Sequence, residues 1–142
     1  MMPLKIGFTG TQKGMTFDQK NNFLVTLKEL NEEYHLEEFH HGDCIGADKD
    51  AHDLVSIYFP NVMIHIHPPE NEYKRAFCKG GFEHRALPYL LRNHKIVDQT
   101  DALIATPNGE NETHRGGTWA TVRYAKKINK DVTIIGPDGN TI

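Results

Sequence analysis

The chain predicts an α/β fold, a Rossmann-like, doubly wound open parallel sheet of about five strands with helices on both faces. Three observations carry that prediction. Short apolar, β-branched runs alternate with segments whose apolar residues recur every three or four positions, the alternation of a parallel sheet covered on both sides. Glycine-rich loops follow strand-like runs and open helix-like ones. The 142 residues suffice to bury a core without disulfides or a structural metal, so residues 1–142 are expected to form one such domain.

Residues 4–9 read as a first strand, ending in the turn-rich loop 10–14. Thr16 stands three residues before Gln19, the spacing of a capping box, so a helix should begin there. Phe23, Leu24, Leu27 and Leu30 give that helix one apolar face. Residues 36–41 carry Glu37, Glu38 and two histidines, and are read as a strand mainly from their place between two helices. Ala47, Ala51, Leu54, Val55 and Tyr58 mark a second helix, closed by Pro60. Residues 62–66 are an apolar strand stopped by Pro68 and Pro69, and residues 70–86 show no period; loops this long in a small domain are usually functional or mobile. Leu87, Leu90, Leu91, His94 and Val97 predict a third helix, residues 101–105 a fourth strand, 117–129 a fourth helix and 132–135 a fifth strand.

Open sheets of this kind bind ligands beyond the carboxyl ends of their strands, where strand order reverses. The loops after the first, second and fourth strands, residues 10–14, 42–48 and 107–118, all fall on that edge. In the last of them Arg115, Gly116, Gly117 and Thr118 open a helix. Glycines there let backbone N–H groups approach an anion, the helix dipole adds positive charge, and the Thr118 hydroxyl and Arg115 guanidinium stand at the same spot. The plainer reading is a loop-to-helix turn with glycine supplying the backbone angle and threonine the cap. The second loop holds Gly42, Asp43, Gly46 and Asp48, and the first Gly10 and Thr11. Two glycine loops on one sheet edge point to a phosphorylated, nucleotide-like ligand.

Arg92, with Asn93 beside it, and Arg85 are candidates for a bidentate clamp on phosphate or carboxylate oxygens. Asp43 and Asp48 suit hydrogen bonds from ribose hydroxyls, or else cap the second helix. The catalytic residues, if any, are unknown; Asp43, Asp48 and Glu83 are the candidate acids, with Asp98 and Asp101 also near the expected cleft. Trp119 either stacks on a base or belongs to the core. His40, His41, Asp43, Cys44, His65 and His67 can be drawn as a metal site because alternate strand residues share a face. None has the tight spacing of a metal motif, so neither metal nor cofactor is expected, and His41 and His67 are read as strand-end imidazoles that bond a ligand or the backbone.

A formal charge of −3 and a pI near 6.3 argue against a broad basic face for duplex DNA, and nucleic acid is not an expected partner. With no N-terminal apolar segment and no long apolar stretch, no membrane association is expected. Cys44 and Cys78 read as reduced thiols of a cytoplasmic protein.

The motifs together resemble the SLOG superfamily, which includes the DNA-processing protein A domain and the Lonely Guy phosphoribohydrolases. The residues His41-Gly42-Asp43-Cys44-Ile45-Gly46-Ala47-Asp48 look like its second-strand loop. Leu91-Arg92-Asn93-His94-Lys95-Ile96-Val97 is similar to the arginine-asparagine-arginine segment of the DNA-processing branch, and Arg115-Gly116-Gly117-Thr118 resembles the loop that opens the superfamily's last helix. The resemblance spans nearly the whole chain. It implies a Rossmann-like fold that binds a nucleotide or nucleotide-derived small molecule, and a homo-oligomer assembled through helix faces. In the phosphoribohydrolase branch a glutamate follows the glycine-threonine pair by three residues; here Thr121 stands there, with Val122 and Arg123 next. Binding or sensing of a nucleotide is therefore the first expectation, hydrolysis of an N-glycosidic or phosphate bond the second, and single-stranded nucleic-acid binding the third.

Overall fold

The computed structural model describes residues 1–142. Its elements run β1 (Pro3–Gly10), α1 (Phe17–Glu33), β2 (His35–His41), α2 (Ala47–Tyr58), β3 (Met63–Ile66), β4 (Phe82–Glu83), α3 (Tyr89–Asp98), β5 (Ala102–Thr106), α4 (Gly117–Lys127) and β6 (Asp131–Ile134). All strands are parallel, in the order β4-β3-β2-β1-β5-β6. The chain steps outward from β1 to β4, crosses back, and then steps the other way through β5 and β6. Strand order thus reverses between β1 and β5. The sheet has six strands rather than about five: β4 is a two-residue pairing of Phe82 and Glu83 with His65 and Ile66, drawn from the stretch without periodicity.

Strand alternation divides the core between the two faces. Ile104 packs with Phe8, Phe23, Phe39, Leu27, Ala51 and Val55 under α1 and α2. Its neighbours Leu103 and Ala105 pack with Val97, Trp119, Val122, Ala125 and Ile134 under α3 and α4. The rings of Phe8, Phe23 and Phe39 sit 5.4–5.8 Å apart, close enough to add to their burial. Gly7 lets α3 lie close on β1, since a Cβ there would sit 2.8 Å from Thr100 Oγ1.

One local expectation is met and three are refined. The expected capping box is present, with Gln19 N–H donating to Thr16 Oγ1 and Thr16 N–H to Gln19 Oε1, both at 3.0 Å. In β2 the pairing with β1 jumps from Leu36 to Glu38 between Leu4 and Lys5, so Glu37 is the extra residue of a bulge. That is why Leu36 and Phe39, an odd number of residues apart, share the core under α1 while Glu38 and His40 point to the opposite face. In α3 the expected leucine face is not the buried one: Arg92, Asn93, Ile96 and Val97 are buried, while Leu90 and Leu91 stay about half exposed. Tyr58, expected on the buried face of α2, is likewise exposed. No helix is long and apolar enough to cross a membrane.

Candidate functional site

A cleft of about 810 Å³ opens at the carboxyl edge of the sheet, the size of a small-molecule site. The turn after β1 supplies Gly10 and Thr11, the loop after β2 supplies Gly42, the first turn of α2 supplies Asp48, α3 contributes Arg92 and Asn93, and the start of α4 contributes Arg115, Gly116, Gly117 and Thr118. These residues meet where strand order reverses, as expected of an open α/β sheet.

The helix ends around the cleft differ in what satisfies them. The α1 terminus is closed by its capping box, and Thr16 Oγ1 also donates to Pro137 O. In α2, Ala47 N–H donates to Thr11 O, and Asp48 and Asp50 place negative charge in the first turn. By contrast α4 starts from Gly116, at φ 104, with no side-chain cap and no acid in its first turn. Its leading N–H groups and positive dipole end therefore face the cleft without a partner from the chain. A Cβ on Gly117 would meet nothing nearer than Asn93 Nδ2 at 3.6 Å, and one on Gly116 would meet nothing. These two glycines are not demanded by packing against protein, although the φ of Gly116 favours glycine.

Arg92 is held more tightly than a bidentate clamp allows. Its Nε donates to Asn93 Oδ1 at 2.7 Å, Nη1 donates to Gly42 O and to His67 O at 3.2 Å, and Nη2 reaches Cys44 Sγ at 3.6 Å. Of the guanidinium's five N–H groups, one on Nη2 is left for a ligand. Gly42 is required by this arrangement, because a Cβ there would lie 2.7 Å from Arg92 Nη1 and 2.9 Å from Asp48 Oδ2. Asp48 is 5% exposed and accepts from Cys44 N–H at 3.2 Å. Burial raises its pKa to about 6, against the lowering effect of Arg92 and of the Cys44 and Gly42 N–H groups. It is the one carboxylate lining the cleft, and it changes charge near neutral pH.

Six expected residues lie elsewhere. Asp43 is fully buried beneath the cleft loop, where its carboxylate accepts from Arg75 Nε at 2.8 Å and Cys78 N–H at 2.9 Å. It pins the irregular stretch to the loop after β2. Gly46, at φ 91, packs against the first loop: a Cβ there would sit 2.3 Å from Gln12 O. Glu83 pairs with Arg75 on the outer strand β4, and Arg85 is exposed and outside the cleft. Neither Asp98 nor Asp101 lines the cleft; Asp98 accepts from Tyr124 OH and Asp101 from Lys5 N–H. Trp119 is 7% exposed in the core under α4 and also forms part of the cleft wall. Both cysteines are free, and burial pushes Cys44 upward and Cys78 to about 12, so both are neutral thiols at physiological pH.

Other cleft residues were not singled out in the sequence. Lys13 and Lys74 line the cleft, and like Arg115 their side chains are exposed and make no ion pair. Lys13 falls in a loop already expected on this edge, whereas Lys74 and Asn71 come from the stretch without periodicity. Tyr89 reaches the cleft from the first turn of α3. Gln19 supports the site from behind: its Nε2 donates to Pro107 O at 2.8 Å and Ile135 O at 3.0 Å. Arg123 ties down the loop before α4 through Glu112 Oε2, Thr113 O and His114 O.

No family model matches the sequence, and no curated protein matches it. Among solved structures, the chain is similar to the X-ray structure of TM1055, a structural genomics target, at 16% identity and a TM-score of 0.59, covering 93% of this chain and 72% of that one. At that identity the likeness concerns the fold, and it agrees with a Rossmann-like arrangement of parallel strands and flanking helices.

Proposed function

We propose that the chain binds a nucleotide or nucleotide-derived phosphorylated ligand over the β1 and β5 strand ends, as a stand-alone member of the SLOG superfamily. One observation carries this reading: Lys13, Lys74 and Arg115, none of them ion-paired, line the same cleft as the uncapped start of α4, in a chain of net charge −3. Cations gathered around a helix N-terminus form an anion site. Asp48 and Asn93 are the polar groups available to sugar hydroxyls or a base, with Tyr89 and Trp119 as aromatic walls. The order of the three loops on the sheet edge supports the superfamily reading. The exposed Leu90 and Leu91 on α3 are where a second copy would pack if the chain assembles through a helix face, which sedimentation of a Leu91→Lys variant tests.

A second reading is hydrolysis of the bound nucleotide, favoured by the single buried cleft acid with a pKa near 6, which suits proton donation to a leaving base. Thr121 cannot replace the glutamate of the phosphoribohydrolase branch, since its hydroxyl is engaged with Gly117 O at 2.7 Å. Equilibrium dialysis against nucleoside mono-, di- and triphosphates, with product analysis, separates the two. Retention of intact nucleotide, weakened by salt and by Arg115→Ala, supports binding. Release of free base, lost in Asp48→Asn, supports hydrolysis, and the absence of both nucleotide retention and product release refutes both.

A further inference from the structure

The face of the sheet turned away from α1 and α2 is covered by α3 and α4 only over β1, β5 and β6. Over β2, β3 and β4 it carries imidazoles instead. His40 stacks on His65 at 4.2 Å and 6°, and His67 on His84 at 4.0 Å and 8°. The two stacks meet edge to edge, His40 Nδ1 lying 2.8 Å from His67 Nε2 and His65 Nδ1 2.9 Å from His84 Nε2. Behind them Glu38 Oε1 lies 2.8 Å from His40 Nε2 and 3.2 Å from His65 Nε2.

We propose that His40, His67 and His84, with His65 beside them, bind one divalent transition-metal ion of the zinc class. One ring nitrogen from each of His40, His67 and His84 lies within 4.8 Å of the others. Tetrahedral zinc with metal–nitrogen bonds of about 2.0–2.1 Å places its nitrogens about 3.3 Å apart, so the short pair opens and the third ring closes by modest side-chain rotations. The glutamate supplies what such a site requires behind its ligands. By accepting the Nε2–H of His40, it fixes that ring's tautomer and leaves its Nδ1 as a lone pair aimed at the opposing stack, the carboxylate–histidine–metal arrangement, with His65 Nε2 beside the same oxygen at 3.2 Å. The Nδ1 atoms of His67 and His84 make no hydrogen bond in the fold, so either ring can carry its proton there and turn Nε2 toward the ion. No net proton is released. An all-imidazole set selects zinc, nickel, cobalt or copper over calcium or magnesium, and the partly exposed His65 and His84 give the ion a path in.

The neighbouring group His41, His52 and Cys78 is not such a site, because its nitrogens are already used. Asp43 N–H donates to His41 Nδ1, His41 and His52 bond at 2.9 Å, and His52 Nε2 donates to Lys79 O at 2.7 Å.

The test uses the full chain without an affinity tag, stripped with chelator and titrated with Co²⁺ and Zn²⁺, with bound metal counted after gel filtration. One ion per chain is expected, with visible Co²⁺ bands and no thiolate charge-transfer band. Glu38→Gln should weaken binding 10–100-fold, and His84→Gln, at a half-exposed position chosen to spare the fold, at least tenfold. His52→Gln and the exposed His35→Gln should bind like the parent. Substoichiometric metal, a thiolate band, or binding indifferent to His84→Gln would overturn the proposal.

Discussion

Replacing Asp48 by asparagine should stabilise the protein at neutral pH and much less in acid. Burial lifts this carboxyl from an ordinary 3.8 to about 6, and at about 1.4 kcal/mol per pKa unit the ionised form costs the fold about 3 kcal/mol. The sign follows from linkage. An acid whose folded pKa exceeds its unfolded one holds its proton longer when folded, so the folded state is favoured at low pH and loses that advantage as pH rises from 3.8 through 6. Asparagine keeps an acceptor for the Cys44 N–H bond and never ionises. The variant's margin over wild type should be about 1 kcal/mol at pH 4.5 and about 3 kcal/mol at pH 7.5. For a chain of this length that is about 3 °C and about 9 °C in Tm, read from paired thermal melts without ligand. A variant that melts below wild type at pH 7.5, or by the same margin at both pH values, would refute the reasoning. If the stabilised variant also loses ligand, the buried acid is retained for binding or chemistry at the expense of stability.

Glycine substitutions separate packing from ligand access. Gly46→Ala, strained at φ 91 and 2.3 Å from Gln12 O, should lower stability by about 3 kcal/mol or more, seen as a fall in the urea midpoint. Gly117→Ala, with 3.6 Å of clearance, should leave the melt within about 1 kcal/mol while weakening nucleotide retention at least tenfold by dialysis, because its Cβ points where the ligand's anion would lie. Thr16→Ala removes the α1 cap and the bond to Pro137 O and should cost about 1–2 kcal/mol in urea titration. Asp43→Ala cuts the ties to Arg75 and Cys78 and should speed proteolytic nicking between residues 70 and 86, read by mass spectrometry of the fragments.

Much of the fold was legible because β1, β3, β5 and β6 are apolar strand-like runs and the helices between them keep a helical period. The hidden parts have physical causes. Strand β4 is two residues long and has no period to read, and β2 loses its alternation at the Glu37 bulge. The inner face of α3 was misread because its buried positions include Arg92 and Asn93, polar residues satisfied by each other and by distant carbonyls. In the cleft, the loops on the sheet edge identified Gly10, Gly42 and the 115–118 run, since their place follows from topology. Position alone could not separate Asp48 from Asp43: five residues apart, Asp48 in the first turn of α2 faces the cleft and Asp43 on the loop before it turns inward to Arg75. The imidazole array was legible only in part, because His84 joins it through β4.

The most direct test of the account is a thermal-shift panel of nucleotides on the purified chain, with mass spectrometry of small molecules released from the same preparation. A ligand present at a hundredfold excess over its Kd stabilises by about 2.7 kcal/mol, which is about 8 °C here. The account predicts such a shift for a phosphorylated nucleotide, its reduction in Arg115→Ala and its reduction to half or less in Gly117→Ala. No nucleotide released and none shifting the melt, or a shift untouched by both variants, would contradict it.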